Sequence, residues 1–290
     1  MKDSRELWQS QNFLRNLEYV KKLVELSTIG TDDVVVEIGP GKGIITEQLA
    51  ARAKQVIAVE YDRNLAFSLS KRFSDSQNVE IVGADFLEWK LPQIDYKVFS
   101  NIPFNMTADI VRKLTQSKNP PLEAYIIMQD RATERFIGEP ASKNTQISIL
   151  LKPFYDMSIV SKIDRREFQP VPNIDAVLMR FQIKDDPVID LKEQQFFRDT
   201  VVYGFNQWKP TVLEGFEEIF SDRQLRKMAQ TYGLNSLKPS ELSVEQWVGI
   251  FDTLQQFGSE NSKRRIRGYE LMYEGKHKKR EKQHRARRKR

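Results

Sequence analysis

The sequence predicts an α/β protein with a mostly parallel sheet wound by helices, then a small all-helical domain and a basic tail. Three observations carry this. Short β-branched or aromatic runs alternate with segments of 3.6-residue apolar periodicity as far as about residue 183, which is the pattern of βαβ units. After "DDP" at Asp185–Pro187 the pattern turns helical, to about Phe257. Charge is also segregated: residues 259–290 hold 14 Lys/Arg against 4 Glu, while the preceding chain holds 32 against 36. The formal charge of +6 is therefore a strongly basic tail on a mildly acidic body. The expected domains are 1–184, 185–258 and the tail 259–290.

The elements follow in order. A first helix is expected over about Leu14 to Leu26, from the spacing of Leu17, Val20, Leu23 and Val24. Strands are expected at Val34–Ile38, Gln55–Val59, Val79–Val82, Lys97–Phe99 and Tyr125–Met128. An amphipathic helix is expected from Thr107 to Leu114. Two later strands, about Met157–Lys162 and Ala176–Ile183, are close enough in sequence to form an antiparallel edge. In the helical segment, Trp208, Phe216, Phe220, Leu225 and Trp247 are expected to build a second core. The tail's "KHKKREKQHRARRKR" cannot bury a core and is expected to be disordered, or helical only on binding.

Composition excludes several chemistries. With 290 residues, 40% hydrophobic and 10% aromatic, the chain can bury a real core. There is no cysteine, so disulfides and thiolate metal sites are excluded and a reducing, cytoplasmic setting is expected. No apolar run reaches the roughly 18 residues of a membrane span. The 2 histidines, His277 and His284, both fall in the tail, which argues against a His base, a Ser-His triad or a His-ligated metal in the body.

The first strand runs into Glu37-Ile38-Gly39-Pro40-Gly41-Lys42-Gly43. Glycines there turn the backbone tightly and let a ligand approach it, which marks Gly39 and Gly41 as cofactor-side positions. Such a turn can also be purely structural. Glu60, ending the second strand 21 residues after Gly39, is spaced to accept both hydroxyls of a ribose. Asp85 in "VGADF", after the third strand, can accept from an adenine amine. The glycines are spaced GxGxG, not GxGxxG, with an acid two residues before the first. A pyrophosphate wants bare N–H groups. A sulfonium tolerates Glu37, so the pattern favours S-adenosylmethionine.

"FSNIPF" at 99–104 follows the fourth strand, at the sheet edge where the methyl donor is expected. An adenine N6 amine is a poor nucleophile, because its lone pair is delocalised into the ring. Acceptors for both of its N–H groups favour a tetrahedral nitrogen and the charge that develops in transfer. The Asn101 oxygen and the Ile102 carbonyl can supply them. Pro103 stiffens the turn, and Phe104 can stack on the base for roughly 1–3 kcal/mol. A plain proline turn with Phe104 as core filler is the alternative.

"SQNFL" at 10–14, "EIGPGKG", "VE" at 59–60, "GADF" at 83–86, "NIPF" and "REFQPVPNIDAVLMRF" at 166–181 resemble the rRNA adenine N6-methyltransferases. That superfamily comprises the Erm resistance enzymes and the small-subunit rRNA dimethyltransferases of the KsgA type. The resemblance spans about 8–183, and 190–257 more loosely. It implies a Rossmann-like class I S-adenosylmethionine-dependent methyltransferase domain. Asn12, Leu14, Gly39, Glu60, Asp85 and Asn101 would contact S-adenosylmethionine. Asn101, Ile102, Pro103 and Phe104 would embrace the target amine, and Phe168 would form a second aromatic wall. Phe104 departs from the Tyr of many relatives: it keeps the stacking face and loses the hydroxyl.

Ile in the corner tetrapeptide resembles the Erm branch. That branch implies methylation of an adenine in the peptidyl-transferase region of 23S rRNA and resistance to macrolides, lincosamides and streptogramin B. The expected partner is 23S rRNA, through a single-stranded or loop adenine before ribosome assembly is complete. No membrane partner and no metal are expected, and the protein is expected to act as a monomer. The alternatives are a KsgA-type small-subunit dimethyltransferase and a non-catalytic nucleic-acid-binding relative. A DNA methyltransferase fits less well, because no separate segment for duplex recognition is evident. The tail is expected to bind rRNA phosphates without sequence preference.

Overall fold

The computed structural model describes residues 12–275. Two compact units are resolved: residues up to 133 with 156–184, and 134–155 with 185 onward.

The first unit is built on a seven-stranded sheet. Its strands are β2 (Val34–Ile38), β3 (Gln55–Glu60), β4 (Val79–Gly83), β5 (Lys97–Asn101), β6 (Glu123–Gln129), β7 (Tyr155–Ile163) and β9 (Ala176–Ile183). The order is β4-β3-β2-β5-β6-β9-β7. The pairs β2–β3, β3–β4, β2–β5 and β5–β6 are parallel, and β6–β9 is antiparallel. Val34, Val35, Val36 and Ile38 are all buried, as expected of a strand covered on both faces. Around it lie α1 (Leu17–Glu25), α2 (Ile44–Ala50), α3 (Arg63–Arg72) and α4 (Thr107–Thr115). The Asn16 side chain caps α1, accepting from the Tyr19 N–H, and Asp62 caps α3 through the N–H groups of Asn64 and Leu65.

One feature departs from the sequence reading. The first helix begins at Leu17, because Phe13–Leu14 form a short strand, β1, paired antiparallel with β8 (Phe168–Gln169). The two later strands lie at the edge of the main sheet as bonded neighbours, as expected, and β9 also pairs antiparallel with β6.

The second unit holds α6 (Gln146–Leu151), α7 (Gln194–Phe205), α8 (Val212–Gly215), α9 (Asp222–Tyr232), α10 (Val244–Phe257) and α11 (Glu260–Ile266), while α5 (Asp130–Ile137) precedes α6 in the chain. The division after residue 184 falls where expected, but residues 134–155, expected in the first domain, belong to the helical unit. Ile149, Leu150, Leu151 and Phe154 are buried, Phe154 packs edge-on to Phe197 at 6.1 Å, and the Asn144 amide donates to the Leu242 carbonyl at 2.9 Å. The expected tail boundary at 259 also moves. Ile266 is fully buried, the Ser262 hydroxyl donates to the Ile219 carbonyl, and a buried Arg198–Glu270 pair fastens the segment to α7. Asp199 accepts the N–H groups of Gly268 and Glu270. The remaining basic run, 276–290, lies outside the described residues, as do Ser10 and Gln11.

In the second core, Phe216, Phe220 and Trp247 are buried as expected and Leu225 is half-buried. Trp208 is not: it is 92% exposed, with φ +56° in the left-handed region. It sits in the turn after α7, and the ring that stacks on Trp247, at 5.3 Å, is that of half-buried Phe205 at the end of the helix.

Candidate active site

Sheet topology gathers the expected residues at one edge. The chain moves outward from β2 through β3 to β4, then returns to the other side of β2 as β5. Ligand crevices form at such a reversal, beyond the carboxyl ends of the strands. Gly39 follows β2, Glu60 ends β3, Asp85 follows β4 and Asn101 ends β5. Across the reversal, the Ile38 N–H donates to the Ser100 hydroxyl at 2.7 Å, which ties the ends of β2 and β5 together. Sequence reasoning passed over Ser100; its small hydroxyl between Phe99 and Asn101 was the only signal.

Gly39, Gly41 and Gly43 all have positive φ (65°, 58° and 79°), so the loop needs glycines for its path. A Cβ on Gly43 would come within 2.7 Å of Leu69. Glu60 is buried, with Oε2 accepting from the Gly41 N–H at 3.0 Å and Oε1 from the Asp62 N–H at 2.9 Å. Burial pushes its carboxyl up, and these N–H bonds pull the other way. Each oxygen keeps acceptor capacity for a further hydroxyl. Asp85 is half-buried, with Oδ1 accepting from the Leu87 N–H. The Lys113 ammonium, also missed in the sequence, donates to the Leu87 and Trp89 carbonyls and so pins the Asp85 loop to α4.

Glu37 behaves differently from its acidic neighbours. It is enclosed between β2 and α2, 1% exposed, and accepts from the Thr46 hydroxyl at 2.6 Å. Burial pushes its carboxyl up to about 8 against the Thr46 bond, with the nearby Glu60 adding to the rise. At neutral pH it is a packed neutral acid, not a counter-charge for a sulfonium. Its folded value exceeds the ordinary 4.5, so the native state keeps a proton that the unfolded chain releases. Stability should therefore fall as pH rises from about 4.5 to about 8 and then level off. Glu37→Gln should flatten that slope and raise stability most at pH 8 and above, as read from the unfolding midpoint against pH.

The corner at the end of β5 is ordered by local bonds. The Pro103 carbonyl accepts from the Met106 N–H, and the Phe104 carbonyl from the Thr107 hydroxyl, both at 2.9 Å. The intervening geometry leaves the Ile102 carbonyl without a donor among the described residues. The Asn101 side chain donates through Nδ2 to the Asn12 carbonyl at 2.7 Å, so its Oδ1 remains as an acceptor. Ile102 and Pro103 are buried, while Asn101 and Phe104 are half-buried.

The β1–β8 ladder pairs Leu14 with Phe168 and brings the N-terminal segment beside this corner. Arg15 reinforces it by donating to the Arg166 carbonyl at 2.9 Å. Two expectations change here. Phe168 is 0% exposed, edge-on to Phe104 at 6.4 Å, so it braces Phe104 from the core and presents no face to a base. The Leu14 side chain is likewise core, 5% exposed, which leaves its backbone as the part facing any ligand.

The sheet and its reversed edge are those of a class I S-adenosylmethionine-dependent methyltransferase. The model of the family "Ribosomal RNA adenine dimethylase" matches residues 6–256, and the chain belongs to that family. It is 30% identical over 265 residues to "Ribosomal RNA small subunit methyltransferase A" of Moorella thermoacetica, covering 85% of this chain and 91% of that one. It is 26% identical over 251 residues to "rRNA adenine N-6-methyltransferase" of Bacillus licheniformis, covering 86% and 87%. Among solved structures, the 23S rRNA methyltransferase ErmE superposes with a TM-score of 0.72 at 27% identity, covering 84% of this chain and all of that one. The protein is thus an S-adenosylmethionine-dependent rRNA adenine-N6 methyltransferase.

The residues present fit that cofactor. A buried carboxylate beside a glycine loop suits a ribose diol and would repel a pyrophosphate. No helix among the described residues is long and apolar enough to cross a membrane.

Proposed function

We propose that the protein methylates N6 of an unpaired adenine in the peptidyl-transferase region of 23S rRNA, giving resistance to macrolides, lincosamides and streptogramin B. The observation that carries the chemistry is a pair of acceptors with no donor among the described residues, Asn101 Oδ1 and the Ile102 carbonyl, at the sheet reversal. An exocyclic amine has two N–H groups, and two fixed acceptors take both. This orients the nitrogen lone pair and stabilises the positive charge it acquires. S-adenosylmethionine supplies an electrophilic methyl on a sulfonium. Glu60 would take the ribose hydroxyls, Asp85 the adenine amine of the cofactor, and the backbone of Asn12, Leu14, Gly39 and Gly41 the remaining contacts. Phe104 would stack on the target base, braced by Phe168. No strong base is required, because the methylated nitrogen is acidic and yields its proton to water.

Phe104→Tyr should keep transfer, since only a hydroxyl is added to the stacking ring. Phe104→Ala should raise KM for RNA about tenfold or more. Steady-state kinetics on both variants check this.

The choice of 23S rRNA is supported by the ErmE likeness over that protein's full length and by Ile102 in the corner. The second reading, a small-subunit dimethyltransferase, is favoured by the 30% identity to the Moorella protein. Incubation with labelled S-adenosylmethionine and either protein-free 23S rRNA or 30S particles separates them. The proposal expects label in protein-free 23S rRNA; label confined to the 30S sample overturns it. Monomeric action on RNA before ribosome assembly is complete is part of the proposal, as is an rRNA-binding role for the helical unit and the basic tail.

A further inference from the structure

Within the helical unit, α9 and the end of α10 enclose a cleft of about 370 Å³ that no part of the methyl-transfer chemistry uses. Arg223 and Lys227 stand one turn apart on α9 and line it. Neither has an ion-pair partner among the described residues. Met228 is buried beneath, and Tyr232 lines the side. Phe257 ends α10 with 63% exposure, and the Lys227 ammonium lies 6.0 Å from its ring centroid. The Gln224 amide donates to the Phe257 carbonyl at 2.8 Å, so the exposed ring hangs from a fixed backbone. No carboxylate lines the cleft.

A folding role does not explain an aromatic ring left mostly in water beside two unpaired cations. Cations at the rim with an open aromatic face and an apolar floor match the chemistry of an unpaired nucleotide. Its phosphate meets the cations while its base stacks on the ring. Duplex RNA offers the phosphates but keeps its base faces stacked, and an acidic peptide offers charge without the planar face. We propose that this cleft binds an unpaired nucleotide of the rRNA substrate, at a second point distinct from the target adenine. The proposal rests on the reading of rRNA as substrate.

The test uses the full chain with protein-free 23S rRNA and with 30S particles. Phe257→Ala should weaken RNA binding about five- to tenfold, and Phe257→Trp should retain it. Arg223→Gln with Lys227→Gln should lower the slope of log affinity against log salt by about one and a half. In all variants, S-adenosylmethionine affinity, unfolding midpoint and single-turnover rate at saturating RNA should stay at wild-type values. Wild-type affinity and salt slope in every variant, with methyl transfer intact, overturn the cleft alone. A loss seen only with 30S particles, and never with the protein-free rRNA that the protein methylates, assigns the cleft to a protein and also overturns it. A wild-type chain that methylates neither RNA overturns the substrate reading and the cleft together.

Discussion

Asn101→Ala should lower the rate of methyl transfer at least about a thousandfold, the upper end of what removing one preorganised polar group from a transition state costs. The side chain has two tasks in this structure, which is why the effect is large. Its Oδ1 is one of the two acceptors at the corner, and its Nδ2 holds the Asn12 carbonyl at 2.7 Å. Alanine removes the acceptor and also releases the N-terminal segment beside it. Asn101→Asp separates the tasks: it keeps acceptor oxygens but sets a carboxylate against the Asn12 carbonyl. It should retain more activity than alanine and bind S-adenosylmethionine more weakly than wild type. Single-turnover transfer at saturating cofactor measures the first effect and calorimetric titration the second. An Asn101→Ala rate within tenfold of wild type would contradict this role.

The two tryptophans of the helical unit should separate just as sharply. Trp247 is fully buried, stacks on Phe205, donates through Nε1 to the Pro239 carbonyl at 3.3 Å and closes over Gly204. A Cβ on Gly204 would lie 2.6 Å from the indole, so the helix and the ring are fitted to each other. Trp247→Ala should cost about 3–5 kcal/mol of stability. Trp208→Ala should stay within about 0.5 kcal/mol, because 92% of that residue is already in water. Trp208→Gly should be neutral or stabilising, since φ +56° suits glycine. Denaturant melts of the three variants decide the matter.

These contrasts show what the sequence made legible. The parallel strands could be read almost to the residue, because fully covered strands such as Val34–Ile38 are mainly β-branched apolar runs, broken here only by Glu37. The edge residues Gly39, Glu60, Asp85 and Asn101 could be read because strand ends and spacing place them without any knowledge of packing. What could not be read depends on contacts distant in sequence. Phe13–Leu14 become a strand only because Phe168–Gln169 lie alongside, a pairing that also buries Phe168. Residues 134–155 look like part of the α/β alternation, yet Phe154 packs on Phe197. Trp208 and Phe205 are three positions apart, and composition cannot tell which ring turns inward. The charge run from 259 concealed a buried Ile266 and an Arg198–Glu270 pair, because net charge averages over the residues that fold.

The corner at the end of β5 is the centre of the account, and nucleoside analysis of methylated rRNA tests it most directly. Wild-type protein is incubated with labelled S-adenosylmethionine and rRNA, the RNA is digested to nucleosides, and the labelled species is identified by mass. The account predicts label on N6 of adenosine, as the mono- or dimethyl form, and its loss with Asn101→Ala. Label on a ribose, on a ring carbon or on another base would contradict it.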